Sequence, residues 1–124
     1  MERRMLEGRR ILIVEDDPFD ALEMRTMVEE LGGVVLGPVG RLDAAAAIVD
    51  GEQLDGAILD VRVEDGDCMG LAERLVGRGT RVNLSTGFDT GALSGLLEGV
   101  PCIRKPITSR GILGLFRQSF AGIH

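Results

Sequence analysis

The sequence predicts an α/β domain built on a parallel five-stranded sheet with helices on both faces. Five short apolar runs alternate with amphipathic helical patterns along 124 residues, and such alternation implies right-handed crossovers between parallel strands. The first run, Ile11-Leu12-Ile13-Val14, contains no polar residue, as expected of a strand buried on both faces. The length fits one domain, and hydrophobic residues at 44% suffice for a core.

The first strand is expected over Arg10–Val14. Asp17 and Pro18 then supply the N-cap and first-turn proline of a helix. Its buried face carries Ala21, Met24, Val28 and Leu31 at spacings of three and four, and Gly32-Gly33 stops it. Val34–Val39 reads as the second strand and alanine-rich Leu42–Val49 as the second helix, ended by Gly51. Gly56–Leu59 is the third strand, followed by a helix over Met69–Val76 that Gly77 and Gly79 close. Arg81–Ser85 is the fourth strand and Thr90–Leu97 a short fourth helix. Cys102–Arg104 is the fifth strand, and Thr108 caps a fifth helix over Ser109–Phe120. The domain is placed at residues 9–120, with residues 1–8 and 121–124 as short tails and no output domain.

A net charge of -6 argues against partners rich in phosphate, whether nucleic acid or anionic membrane. With aromatics at 3% and no Trp or Tyr, base-stacking platforms are also unexpected. No segment has the length of a membrane span or of a signal-peptide core, which places the chain in the cytoplasm. Cys68 and Cys102 match no metal or redox spacing and read as reduced thiols in the core. His124, the single histidine, is terminal and is assigned no role.

In open α/β sheets, ligands bind outside the carboxyl ends of the strands. Those ends carry a short set of polar residues. Strand one ends in Glu15-Asp16-Asp17, strand three in Asp60, strand four in Ser85-Thr86-Gly87, and strand five in Lys105-Pro106. Two carboxylates about 4 Å apart repel by roughly 4 kcal/mol at a surface dielectric. A shared hard divalent cation turns that repulsion into coordination, and Mg²⁺ takes one or two carboxylates while leaving room for phosphate oxygens. A hydroxyl and an ammonium on the same rim would hold the remaining phosphoryl oxygens.

The acidic pair after strand one, the Asp of strand three, the Thr-Gly of strand four and the Lys-Pro of strand five resemble the receiver domain of bacterial two-component response regulators. Leu84-Ser85-Thr86-Gly87-Phe88 is also similar to the "FATGY" segment of a group of single-domain receivers. The resemblance implies a flavodoxin-like, doubly wound sheet of strand order 2-1-3-4-5. It implies that Asp60 is the phosphoacceptor. Glu15, Asp16, Asp60 and the backbone carbonyl of Arg62 would form the metal site, holding Mg²⁺ or Mn²⁺. Thr86 and Lys105 would contact the phosphoryl group, with Pro106 following a cis peptide bond. Arg62 and Phe88 would flank the path of the attacking water and slow hydrolysis of the phosphorylated form.

On this reading a histidine kinase or a histidine phosphotransfer protein donates the phosphoryl group. The chain catalyses only its own phosphorylation and dephosphorylation, and it signals by protein contact or onward phosphotransfer. The face of the fourth helix, fifth strand and fifth helix is expected to meet a downstream protein or a second copy. Gly91, Gly95, Gly99, Gly111 and Gly114 loosen those helices, and Ile112, Leu113, Leu115, Phe116 and Phe120 form a broad apolar arc. Two positions depart from the family: Cys102 where an aromatic is common, and Ile107 where Phe follows Lys-Pro, so no aromatic switch is expected in strand five.

Other readings exist for each residue. Asp60 fits a turn cap, Glu15-Asp16 a solvated surface pair, Thr86 an ordinary strand-end hydroxyl and Lys105 an exposed lysine. For the whole chain, one alternative is a pseudo-receiver that binds partners without phosphorylation, although the acidic site is intact. Another is a haloacid-dehalogenase-like phosphatase, although Asp60-Val61-Arg62 lacks that family's second Asp and no Walker-type loop occurs.

Overall fold

The computed structural model describes residues 5–87 and 99–120. Five strands, β1 (Arg10–Val14), β2 (Val34–Val39), β3 (Gly56–Asp60), β6 (Arg81–Thr86) and β7 (Cys102–Arg104), form one sheet. A two-residue ladder, β4 (Arg62–Val63) with β5 (Gly66–Asp67), follows β3 and is antiparallel. The sheet order is β2-β1-β3-β6-β7, and every neighbouring pair in it is parallel. With the small ladder set aside, this is the expected 2-1-3-4-5 order. The helices are α1 (Pro18–Glu30), α2 (Leu42–Gly51), α3 (Met69–Gly77) and α4 (Ser109–Phe120). The expected helix over Thr90–Leu97 lies outside the described residues.

Strand alternation divides the core into two layers. Leu12 and Val14 of β1, Ala57 and Leu59 of β3, and Val82 and Leu84 of β6 face α2 and α3, where they meet Ala45, Val49, Leu71, Ala72 and Leu75. Ile11, Ile13 and Ile58 face the other way, onto Met24 and Val28 of α1 and Ile112 and Phe116 of α4. Leu6 belongs to this second layer and is fully buried, its N–H donating to Leu31 O at 2.9 Å. The packed chain therefore begins a few residues before Arg9, where the sequence places the boundary.

The helix ends follow local chemistry. Asp17 accepts from Phe19 N at 2.9 Å and from Asp20 N at 3.1 Å, with Pro18 at the first helical position. Gly32 turns the chain out of α1 at φ +90°, a conformation that glycine adopts without strain. Thr108 Oγ1 accepts from Gly111 N at 3.0 Å at the start of α4. α2 has no local cap. Its first amide, Leu42 N, donates to Asp65 Oδ1 at 2.7 Å, a carboxylate delivered by the β4–β5 turn. Arg41 reinforces the join, its guanidinium lying 3.5 Å from Asp65 Oδ2.

One feature runs against the apolar pattern. Asn83 and Ser85 of β6 are fully buried, and among the described residues neither Asn83 Oδ1, Asn83 Nδ2 nor Ser85 Oγ has a hydrogen-bond partner. Both residues alternate with Val82 and Leu84 and so project toward the α1 and α4 layer. A buried polar group without a partner costs about 1–3 kcal/mol. Replacing Asn83 by Leu is therefore expected to raise stability by about 1 kcal/mol, read as a higher denaturation midpoint in urea. A lower midpoint would show that the amide is satisfied in solution.

Candidate functional site

Parallel pairing brings the carboxyl ends of β1, β3, β6 and β7 to one rim. β1 and β3 are in register from Ile11↔Gly56 to Val14↔Leu59, so the next residues, Glu15 and Asp60, emerge side by side. Both share the face of Ile13 and Ile58. The third strand runs one residue further than expected, because Asp60 still pairs with Ser85. The fourth likewise extends to Thr86, which pairs with Arg104.

Each side chain is held from several directions. Glu15 is buried; its N–H donates to Val39 O at 2.8 Å, and its Oε2 accepts from Asp17 N at 3.0 Å. Asp60 is buried, and its Oδ1 accepts from Arg62 N at 3.3 Å. Asp16 is exposed. One oxygen from each of Glu15, Asp16 and Asp60 can be chosen so that all lie within 4.8 Å of one another. This set of hard oxygen donors suits a divalent cation such as Mg²⁺, which takes carboxylates and keeps waters.

Lys105 meets these acids from the neighbouring strand end. Its backbone N–H donates to Thr86 O at 2.7 Å, and the Lys105–Pro106 peptide bond is cis. Its ammonium lies 2.6 Å from Glu15 Oε1, 2.9 Å from Asp60 Oδ2 and 3.4 Å from Asp20 Oδ2. Burial disfavours charge on Lys105, but the bonds to Glu15 and Asp60 outweigh it and hold the pKa above the ordinary lysine value. Burial pushes Glu15 up to about 7, aided by the Asp60 charge and opposed by Lys105 and the Asp17 amide.

The structure thus joins Glu15, Asp16, Asp60 and Lys105. Thr86 is buried at the end of β6, with its carbonyl on the Lys105 backbone. Arg62 is exposed at the rim, on the short ladder after Asp60. Phe88 lies outside the described residues. Cys68 is buried and Cys102 half-buried, and both are free thiols. Burial, followed by nearby carboxylates, pushes Cys68 up to about 12 and leaves it unreactive.

Sequence reasoning missed two features of this rim. Asp20 reaches Lys105 because it lies three residues after the Asp17 cap, in the first turn of α1 above the site. Phe19 and Leu22 are exposed at 79% and 61%. They fall off the Ala21, Met24, Val28 stripe, and that offset was the available signal. Leu22 also borders a groove with Thr26, Met27, Pro106, Ile107 and Thr108, so the apolar patch adjoins the Lys105 loop.

No family model matches the sequence, and a search of curated proteins finds no match. Solved structures do match. A CheY-like response regulator receiver domain protein from Methanospirillum hungatei JF-1 superposes with TM-score 0.79 at 21% identity, covering 94% of this chain and 96% of that one. SdrG from Sphingomonas melonis Fr1 superposes with TM-score 0.78 at 28% identity, covering 91% and 97%. The response regulator PhyR from Brucella abortus gives TM-score 0.81 at 25% identity, but this chain covers only 51% of it.

The carboxylate cluster offers a donor set that suits a divalent cation, and binding there would be read through folding. Mg²⁺ is expected to raise the thermal midpoint. A ligand at a hundred times its Kd stabilises by about 2.7 kcal/mol. Asp16→Ala, which removes an exposed donor and little packing, should abolish most of that shift. An equal Mg²⁺ shift in the variant would show that the ion binds elsewhere.

Proposed function

We propose that this chain, which has the fold of response-regulator receiver domains, accepts a phosphoryl group on Asp60 from a histidine kinase or histidine phosphotransfer protein. The single observation that carries the reading is the convergence at the carboxyl rim of oxygens from Glu15, Asp16 and Asp60 within 4.8 Å of one another, with the Lys105 ammonium paired to Glu15 and Asp60. Mg²⁺ bound by Glu15, Asp16, Asp60 and the Arg62 carbonyl would neutralise charge on the phosphoryl oxygens.

The chain's own residues supply the rest. An Asp60 carboxylate oxygen attacks phosphorus in line. The bond from phosphorus to the donor nitrogen breaks, and the leaving imidazole keeps the electron pair. Such transfer needs positioning and charge stabilisation more than covalent help. Arg62 N fixes Asp60 Oδ1, leaving Oδ2 as the oxygen now held by Lys105. As the phosphoryl group arrives, the Lys105 ammonium turns from carboxylate to phosphoryl oxygen. The Thr86 hydroxyl serves as a further donor. Arg62, exposed beside Asp60, hinders the water that would hydrolyse the product.

The donor protein docks on α1. Phe19 and Leu22 form an exposed apolar patch next to the site, and the groove to Pro106–Thr108 extends it. Output then passes by protein contact or onward phosphotransfer, and the face of β7 and α4 is the route for a downstream partner or a second copy.

Incubation with Mg²⁺ and a small phosphodonor is expected to add one acid-labile phosphate, located at Asp60 by mass spectrometry. Asp60→Asn should take none, and retention of the label in that variant sinks the assignment.

The docking patch has a separate test. The double variant Phe19→Ala, Leu22→Ala should slow transfer from a phosphorylated protein donor by tenfold or more, since buried apolar anchors at interfaces are commonly worth at least about 1–2 kcal/mol each. Transfer from a small phosphodonor should be unchanged. Equal slowing with both donors would mean that the patch supports the site and is not the docking surface.

A further inference from the structure

We propose that Asp20 is a positioning residue of the acceptor site, one that shares the Lys105 ammonium and discriminates against small, highly charged phosphodonors. The inference rests on the reading of Asp60 as phosphoacceptor. An ammonium has three donors, and Lys105 faces three carboxylates, at 2.6 Å (Glu15), 2.9 Å (Asp60) and 3.4 Å (Asp20). The first two stand at buried strand ends. The third comes from α1, and its side chain is 39% exposed.

The carboxylate of Asp20 is placed by the fold. Its backbone N–H donates to the capping Asp17, which fixes the first turn of α1. Its side chain borders a small cavity with Glu23, Met24, Met27, Lys105 and Ile107, so it lies beside the lysine. Asp20 is outside the oxygen cluster of Glu15, Asp16 and Asp60, and the cation it pairs with is Lys105. Its charge therefore acts on the lysine and on whatever enters past it.

Two effects follow. Asp20 competes with phosphoryl oxygens for the lysine charge. It also adds a negative charge near Asp60, across the shared lysine, and Coulomb repulsion grows with the charge of the incoming group. In transfer from acetyl phosphate, an Asp60 oxygen attacks phosphorus, the bond to the acetate oxygen breaks, and acetate leaves with the electron pair. Acetyl phosphate is a dianion at neutral pH, whereas phosphoramidate is a monoanion, so Asp20 hinders the first more. A protein donor that docks on Phe19 and Leu22 brings its phosphoryl group with favourable contacts that offset the repulsion. Asp20 thus biases the site toward protein donors over small metabolites.

The test compares the unchanged protein, Asp20→Asn and Asp20→Glu with both small donors, in Mg²⁺ buffer. Asp20→Asn should accelerate phosphorylation by acetyl phosphate about threefold at physiological salt, and more at low salt. The gain with phosphoramidate should be clearly smaller, and Asp20→Glu should restore the original rates. Equal gains with both donors, or none, overturn the proposal. A second arm does not use activity: the Lys105 side-chain resonances of the unphosphorylated protein should shift in Asp20→Asn and not in Asp20→Glu. Unmoved Lys105 resonances in Asp20→Asn also overturn it. Absence of phosphate on Asp60 in the unchanged protein would instead refute the functional reading, leaving the Lys105 arm to decide the ion pair.

Discussion

One ammonium among three carboxylates is the contact on which the rim depends. The oxygens of Glu15, Asp16 and Asp60 approach within 4.8 Å of one another, a spacing at which unpaired charges repel by several kcal/mol. Lys105 bridges Glu15 and Asp60. That requirement fixes the position of β7, an edge strand that pairs with β6 alone. Through Lys105 N to Thr86 O, the same strand end is tied to the last residue of β6. The acids, the lysine and the threonine therefore form one mechanical unit.

Around this unit the two faces of the sheet differ in character. The α2 and α3 face is a continuous apolar layer. The α1 and α4 face carries Asn83 and Ser85 beneath it without hydrogen-bond partners. α4 is nonetheless seated closely: a Cβ on Gly111 would lie 2.9 Å from Ile103 Cδ1. Ile112, Phe116 and Phe120 bury their side chains there, and full burial of such groups contributes about 1.5–3 kcal/mol each. Opening of α4 would forfeit that burial but rehydrate the amide and hydroxyl. The burial term is the larger, so α4 stays seated over the two polar side chains.

Much of this was legible in the chain. The Ile11–Val14 run, the Asp17-Pro18 start and the Gly32 stop each act through neighbours a few residues away, and the structure shows them as the sequence places them. The rim residues were legible for a similar reason. A parallel α/β sheet puts all its strand ends on one side, so reading the residues after each apolar run was enough to collect Glu15, Asp16, Asp60, Thr86 and Lys105. The strand limits at Asp60 and Thr86 were less clear, because a polar residue at a strand end looks the same in sequence whether or not it joins the ladder.

What only the tertiary structure decided depends on distance through space. The cap of α2 comes from Asp65, more than twenty residues away, and no local pattern announces a carboxylate delivered by a turn. Leu6 looked like part of a tail, yet it is fully buried in the layer with Met24, Val28 and Phe116. Asp20 carries no signal in the sequence, and only the packing of α1 sets it against Lys105. Asn83 sat in a strand whose burial on both faces was expected, but its lack of a partner emerged only from the packing above it. The sequence by itself determined the fold class and the membership of the acidic rim, since periodicity and strand-end chemistry are local. The tertiary structure decided which charges pair, which amides stay unsatisfied and which helix face is exposed, since each depends on atoms brought together from remote parts of the chain.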